Sequence, residues 1–254
     1  MRVLSIITGL LLCSTCAPAP YFATVEPGET GRVVRIADGD TLYLHTGQSV
    51  RLAGIEAPSL AYRARAAAPF SDQSKRMLED LAQGRDIQLY YPGLTRDRYQ
   101  RALAHAVTID EKGAPVWLNQ AMLERGGAWV RLYPDTDAEA EALFRAEAAA
   151  RSAGLGLWGE SEYSNTEMAD LTETQTGFVL VTGTFVAGAR PNLTDPLGAA
   201  CIARFQNSSI RVFVAPEAAE ICSLPAQTRL HLRGWLRAGL LRISHHGHWW
   251  RIAD

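Results

Sequence analysis

Hydrophobic and polar positions alternate most clearly between residues 33 and 56, where two short apolar runs are separated by a polar segment. The apolar positions of the two runs are Val33, Ile36, Leu42, Leu44, Val50, Leu52 and Ile55. Residues 45–48 (H-T-G-Q) lie between the runs, so the pattern predicts a β-hairpin.

The predicted hairpin carries carboxylates at the ends of its strands. Asp38 and Asp40 flank Gly39, and Glu56 follows the return strand. Carboxylates held close together repel one another, and a hard divalent cation would relieve that repulsion. The alternative interpretation is a solvated turn beside a surface ion pair with Arg51, and the hairpin alone leaves both open.

Helical and strand patterns follow this hairpin in alternation as far as residue 159. The expected elements are a helix over about 72–83 capped by Ser71, strands over 86–91 and 102–107, a helix over 117–125, a strand over 129–133, and a helix from 135 or 136 to about 152. With the two hairpin strands, five strands are therefore interleaved with three helices.

The pattern changes after residue 159. Residues 160–176 are polar and rich in threonine, which predicts a linker, and residues 177–254 alternate as short strands. We expect a small all-β barrel or sandwich there. The segment His245-His246-Gly247-His248 is interpreted as a surface turn rather than a metal site, because adjacent strand residues face opposite sides.

The N-terminal residues 1–19 have the pattern of a targeting segment: Arg2, an apolar stretch over 3–12, and small residues at 13–17. The alternatives are a secretory signal peptide, an uncleaved anchor, and a lipoprotein signal in which Cys16 is lipidated. Each predicts an exported protein in the periplasm, cell envelope or extracellular space. In such an oxidising compartment we expect Cys201 and Cys222 to form a disulfide.

Composition restricts the possible partners. The chain has 254 residues, 47% of them hydrophobic, and a formal net charge of −2. This length can bury one large core or two small ones. Because the chain is not basic overall, a nucleic-acid partner has to be bound by a local positive patch.

A second motif, T-R-D-R-Y-Q-R-A-L-A at 95–104, follows the D-G-D-T and R-L-A-G-I-E-A-P-S stretches of the hairpin at 38–41 and 51–59. In this order and spacing the blocks resemble the staphylococcal nuclease (thermonuclease) family over about residues 31–159. The resemblance implies an OB-type β-barrel with helices, an α+β fold, followed here by the small all-β domain. It also implies a monomeric, calcium-dependent nuclease that hydrolyses phosphodiester bonds of DNA or RNA.

Site residues are carried over from the resemblance position by position. The implied calcium ligands are Asp40, Glu56 and the backbone carbonyl of Ala57, with Asp38 beside them; the phosphate-clamping arginines are Arg51 and Arg101; and the residues beside the nucleotide are Tyr99 and Tyr133. Guanidinium groups suit phosphate because they are always charged and donate bidentate hydrogen bonds.

Two positions depart from the family pattern. Glu56 stands where the family usually has Asp, and Ser59 stands where the family has its glutamate general base. Serine cannot accept a proton from water at neutral pH, and a placed base contributes about 10²- to 10⁴-fold to the rate. The expected function is a nuclease with weakened activity, and the alternative is a non-catalytic binding module associated with the cell envelope.

Overall fold

The computed structural model describes residues 21–109, 113–189 and 198–252. The expected targeting segment, with Cys16, lies outside the described residues. Two separate hydrophobic cores are present, one formed by residues between 22 and 146 and the other by residues between 168 and 249. We call the part around the first core the N-terminal barrel and the part around the second core the C-terminal barrel.

The N-terminal barrel contains the first eight strands. They are β1 Glu26–Asp38, β2 Thr41–Leu44, β3 Ser49–Leu52, β4 Ile55–Glu56, β5 Asp86–Tyr91, β6 Ala102–Ile109, β7 Pro115–Trp117 and β8 Trp129–Val130. The strand order is β3-β2-β1-β5-β6-β7, and β3 also pairs with β6, so five strands close into a barrel. The short strands β4 and β8 pair with each other beside it.

Three helices accompany this barrel: α1 Ser71–Ala82, α2 Leu118–Glu124 and α3 Ala140–Ser152. The predicted cap at Ser71 is wrong, since Ser71 lies inside α1 and Phe70 precedes it in a left-handed conformation. α3 begins later than expected because residues 133–139 form turns instead, in which the Asp137 side chain bonds His245.

The barrel starts before the expected residue 31, and one strand is shorter than expected. Phe22 is buried and packs edge-on against Tyr90 and Trp117, so the residues before β1 belong to the core. β8 ends at Val130 because the backbone N–H of Leu132 points to a side chain, Nε2 of His248 at 3.4 Å, rather than to a neighbouring strand.

The C-terminal barrel contains seven strands. They are β9 Thr166–Glu167, β10 Gly177–Ala189, β11 Cys201–Phe205, β12 Arg211–Val214, β13 Arg229–Arg237, β14 Leu240–Ile243 and β15 Trp249–Arg251. The order is β15-β13-β14-β12-β11-β10-β9, and β13 also pairs with β10, which closes a second ring of five strands. Cys201 and Cys222 form a disulfide with their Cα atoms 5.9 Å apart.

Residues 160–176 are more ordered than the expected linker. β9 pairs in parallel with β10, and Met168 and Leu171 are buried in the second core. The polar residues of this segment are interrupted by these two apolar side chains, which attach it to the C-terminal barrel.

The two barrels contact each other through β8, α3 and the turns between them. Arg233 of β13 donates to Glu147 of α3 at 2.5 Å, and both side chains are only 2% exposed. The indole of Trp129 stacks on the ring of Phe178, with centroids 4.9 Å apart. No helix among the described residues has the length and apolar character needed to cross a bilayer.

The histidine turn, residues 245–248, lies in this contact between the barrels. The prediction that it is a surface turn is wrong, because two of its three histidines are buried. His245 is 1% exposed and bonds Asp137 at 3.0 Å, and His248 is 5% exposed. Burial lowers the pKa of His248 to about 3, so this histidine is neutral. A neutral imidazole can be buried without the cost of burying a charge, and its Nε2 accepts the N–H of Leu132.

Candidate active site

The D-G-D-T turn positions Asp40 at the junction of β1 and β2. A Cβ atom at Gly39 would lie 1.9 Å from the Ser74 hydroxyl oxygen, so only glycine fits this turn against α1. Asp40 is 2% exposed; its Oδ1 accepts from Thr41 at 3.0 Å, and its Oδ2 accepts from the N–H of Ala57 at 2.7 Å. The Asp38 carboxylate accepts the backbone N–H of Asp40 at 3.1 Å.

Arg51 of β3 joins the two carboxylates that the hairpin was expected to bring together. Its Nη1 pairs with Oδ1 of Asp40, and its Nη2 lies 2.6 Å from Oε2 of Glu56. The pattern of the hairpin predicted this proximity, because β2 and β3 pair with Thr41 opposite Arg51.

Arg131 is a site residue that the sequence analysis missed. Its Nη1 lies 2.6 Å from the same Oε2 of Glu56 that Arg51 contacts. The signal was present, since Arg131 lies two residues before Tyr133 in an alternating stretch. The backbone N–H of Arg131 donates to the carbonyl of Gly54 at 2.9 Å, which continues the pairing of β4 with β8 by one residue. Arg131 therefore lies diagonally across the ladder from Glu56.

The ionised form of the Asp40 carboxyl group is disfavoured by its surroundings. Burial raises its pKa, Arg51 opposes that effect, and the charge of Asp38 raises the pKa further, so that it reaches about 6. Three carboxylates (Asp38, Asp40 and Glu56) meet only two guanidinium groups here. The site therefore retains an excess of negative charge.

Arg101 approaches the site from the second motif. Its side chain bonds Asp97 through Nε at 2.7 Å and through Nη2 at 2.6 Å, and its Nη1 lies 3.4 Å from the Thr41 hydroxyl. These bonds lower the pKa of Asp97, although its partial burial opposes them. Asp97 thus orients Arg101 toward the turn that holds Asp40.

A pocket of about 470 Å³ opens beside these groups. The predicted site residues that line it are Arg51, Glu56, Tyr99, Arg101 and Tyr133, together with the missed Arg131. Tyr99 is 64% exposed at its rim. The pocket thus combines three arginines with two exposed tyrosine rings.

Ser59 does not line this pocket. It lies half-buried after β4, and its carbonyl accepts the N–H of Ala68 at 2.8 Å. The carboxylates that do line the pocket are Glu56, Asp97 and Asp135. Glu56 and Asp97 form ion pairs with arginines, and Asp135 is exposed at the rim of the pocket.

The donor atoms suit a hard cation, although the arginines compete for them. Carboxylate oxygens are the ligands that calcium prefers. Within the described ranges, no group of three or more His, Cys, Asp or Glu side chains is arranged to hold a metal ion. A cation would have to share Asp40 and Glu56 with Arg51, and the excess negative charge favours its entry.

A closed five-stranded barrel carries three arginines, the buried Asp40 and the half-buried Glu56 at one end, which is the class of fold and site that the family comparison also finds. The family model described as "Staphylococcal nuclease homologue" matches residues 49–160. This range holds Arg51, Glu56, Ser59 and Arg101, whereas Asp40 precedes it.

Several relatives share this part of the chain. An "Uncharacterized endonuclease" of Haemophilus influenzae is 33% identical over 160 residues, 61% of this chain and 79% of the relative. A "Micrococcal nuclease" of Shigella flexneri is 31% identical over 137 residues, 51% of this chain and 74% of the relative. An "Uncharacterized endonuclease" of Escherichia coli is 30% identical over 135 residues, 52% of this chain and 78% of the relative. The chain belongs to the staphylococcal nuclease homologue family.

Proposed function

We propose that this protein is a phosphodiesterase of the nuclease type, which hydrolyses the sugar-phosphate backbone of DNA or RNA in its pocket. The observation that carries the proposal is the convergence of Arg51, Arg101 and Arg131 on one pocket beside Asp40 and Glu56. Arginines stabilise the negative charge on the phosphoryl oxygens during displacement. The names of the relatives support the same activity.

We propose calcium as the cofactor, held by Asp40, Glu56 and the carbonyl of Ala57 with Asp38 beside them. A bound cation neutralises phosphate oxygens and orients water. Arg51 exchanges Asp40 and Glu56 for phosphate oxygens as substrate enters, and Arg101 is held by Asp97 to meet the phosphate from the other side. Tyr99 and Tyr133 offer exposed rings to the adjacent nucleotide.

The activity is proposed to be weak because Ser59 cannot serve as a base. Its place outside the pocket also leaves no serine hydroxyl to orient the attacking water. The second candidate, a non-catalytic binding module, is favoured by this same substitution. It would keep the arginines and the tyrosine rings as a phosphate-binding site without turnover.

The experiment is incubation of the protein with plasmid and with single-stranded DNA, in calcium and in chelator. We expect fragments in calcium only, and their loss in Arg51→Ala. Arg145→Ala is the matched control, because Arg145 is an exposed arginine paired with Glu141 on α3, away from the pocket. Fragmentation that persists in Arg51→Ala at the wild-type rate contradicts the assignment.

We further propose that the protein is an exported monomer, either free or attached to the membrane through a lipidated Cys16 or an uncleaved N-terminal segment. The support is the pattern of residues 1–19 and the disulfide. Intact-mass spectrometry of the exported protein distinguishes a cleaved, a lipidated and an uncleaved N-terminus. Recovery of the unmodified chain from the cytoplasm alone contradicts export.

A further inference from the structure

The charge of the chain is divided unequally between its two parts. Residues 177–254 contain eight arginines and only four Asp or Glu side chains, a formal net charge of +4, whereas the whole chain carries −2. The remainder therefore carries −6. The matched range 49–160 contains 14 Lys and Arg against 15 Asp and Glu, so the net positive charge of the chain lies outside that range, in residues 177–254.

Four of these arginines share the outer face of the C-terminal barrel, which we call the basic face: Arg204, Arg211, Arg237 and Arg242. Residues paired across a ladder project to the same side of a sheet. Arg211 and Arg237 are both paired with Leu240 of β14, and Arg242 lies two residues further along β14. Ile202 of β11 and Arg242 of β14 are both paired with Phe213, so they are on the same side of the sheet. Arg204 lies two residues after Ile202 and is therefore on that side as well.

The arginines of the basic face are exposed, and none of the four forms an ion pair with a carboxylate in the part of the chain that the structure describes. The opposite face of the same strands is the buried second core, with Val212, Leu236 and Leu241 fully covered. The stability of the fold thus rests on the inner face, and the charge on the outer face is available to a partner.

Trp235 connects the basic face to the pocket. It is paired with Arg242 across β13 and β14 and is 39% exposed. Its ring centre lies 4.9 Å from the guanidinium of Arg131, which itself contacts Glu56 and lines the pocket. A continuous path therefore runs from the pocket past Arg131 and Trp235 onto the basic face.

We propose that the basic face, with Trp235, binds a single strand of nucleic acid and extends the substrate site beyond the pocket; this rests on the proposed nuclease function. Proteins that hold single strands combine a positive surface with aromatic rings on which unpaired bases stack. The path crosses three strand spacings of about 4.8 Å each between β13 and β11, which is enough for several nucleotides.

The test is the affinity for a labelled single-stranded oligonucleotide of about 16 nucleotides, the upper site size of an OB fold, measured by fluorescence anisotropy in chelator. We expect Arg211→Glu/Arg242→Glu to weaken binding about tenfold or more. Losing two phosphate contacts should also reduce the slope of log K against log salt by about 1.4. The matched control is Arg145→Glu/Arg251→Glu, which makes the same charge change at exposed arginines away from the face.

Trp235→Ala is a second variant that leaves the charge unchanged. Loss of one stacked base should weaken binding about 5- to 150-fold without changing the salt slope. Circular dichroism and the melting temperature establish that each variant is folded. Wild-type affinity and an unchanged salt slope in the folded Arg211→Glu/Arg242→Glu variant overturn the proposal.

Cleavage of a trinucleotide, which occupies only the pocket, separates this proposal from the proposed function. If wild type cleaves the trinucleotide and does not bind the longer strand, the face is misassigned and the nuclease function stands. Binding of the longer strand without cleavage of either substrate leaves the face assigned and removes the enzyme. Vesicles of phosphatidylglycerol serve as the competing anion. If Arg211→Glu/Arg242→Glu loses vesicle binding but keeps the wild-type affinity for the oligonucleotide, the basic face is reassigned to a lipid surface.

Discussion

At the scale of single residues, the site is a network in which arginines occupy the places where substrate and cation are expected. Arg51 spans Asp40 and Glu56, and Arg131 contacts the same oxygen of Glu56. Glu56 is one methylene longer than the aspartate usual in the family, which allows it to reach both arginines at 2.6 Å. The free protein thus keeps Asp40 and Glu56 paired with arginines that a phosphate can recruit.

Ser59 provides the residue-scale test of catalysis. Ser59 does not line the pocket, so a base at this position acts only through a side chain long enough to extend into it, as glutamate is. We predict that Glu56→Asp/Ser59→Glu raises the calcium-dependent cleavage rate about 10²-fold or more, because a placed base supplies a factor in this range. Arg101→Ala in the same background should remove the gain, since the negative charge on the phosphoryl oxygens would be unmatched. Initial rates on single-stranded DNA measure it. A double variant no faster than wild type shows that base loss does not limit the protein.

The proposed role of Asp40 as a calcium ligand predicts that calcium affinity depends on pH. The pKa of Asp40 is raised to about 6 by burial and by Asp38, and a cation binds only the ionised carboxylate. Calcium affinity should therefore be constant above pH 6 and fall about tenfold for each unit below it. Calorimetry across this range measures the effect, and Asp40→Ala should abolish binding. Equal uptake of calcium by wild type and Asp40→Ala would remove the metal from this site.

At the scale of elements, the pairing of β4 with β8 determines how Arg131 meets Glu56. Glu56 pairs with Trp129, and the Arg131 N–H donates to the carbonyl of Gly54 at 2.9 Å, so Arg131 is the diagonal neighbour of Glu56. The next N–H, that of Leu132, bonds His248 instead of a strand. Arg131 thus lies between the pocket and Trp235.

Arg131 is predicted to affect cation binding and turnover in opposite directions. Arg131→Ala should tighten calcium binding by a few-fold, because this half-exposed ion pair contributes up to about 1 kcal/mol to holding Glu56. The same variant should slow cleavage, since one donor to phosphate is lost. Calorimetry and initial rates are compared with Arg145→Ala as the control. A parallel loss of both quantities would indicate local unfolding instead.

Much of the site was predictable because it lies on regular elements. The hairpin pattern placed Asp40, Arg51 and Glu56 together, since a fixed ladder register needs only local sequence. Arg131 was missed because its position depends on the pairing of β4 with β8, and Arg131 and Glu56 are 75 residues apart in the sequence. The buried histidine turn was misjudged for the same reason: a single sequence does not reveal which surfaces two barrels cover.

At the scale of the whole molecule, the two barrels are joined by a buried ion pair between Glu147 and Arg233. The Arg233 guanidinium also lies 5.2 Å from the ring centre of Phe144. This pair, the stacked Trp129 and Phe178, and the histidine turn hold Trp235 beside Arg131. The orientation of the basic face relative to the pocket depends on these contacts.

Breaking this ion pair should be costly. Glu147→Gln leaves Arg233 buried without a charged partner, and we predict a loss of about 3–5 kcal/mol in the free energy of unfolding. Replacing both residues, as in Glu147→Leu/Arg233→Met, should recover most of that loss. Chemical denaturation measures both variants. A Glu147→Gln variant as stable as wild type would show that the pair does not contribute to the contact between the barrels.

Nuclease activity itself is tested most directly by cleavage of an end-labelled single-stranded DNA by wild type and by Arg101→Ala, each across a calcium titration. We predict a ladder of fragments whose yield rises with calcium, is abolished by chelator, and is lost in folded Arg101→Ala. A folded wild type that gives no fragments at any calcium concentration, while still binding the strand, would contradict this prediction.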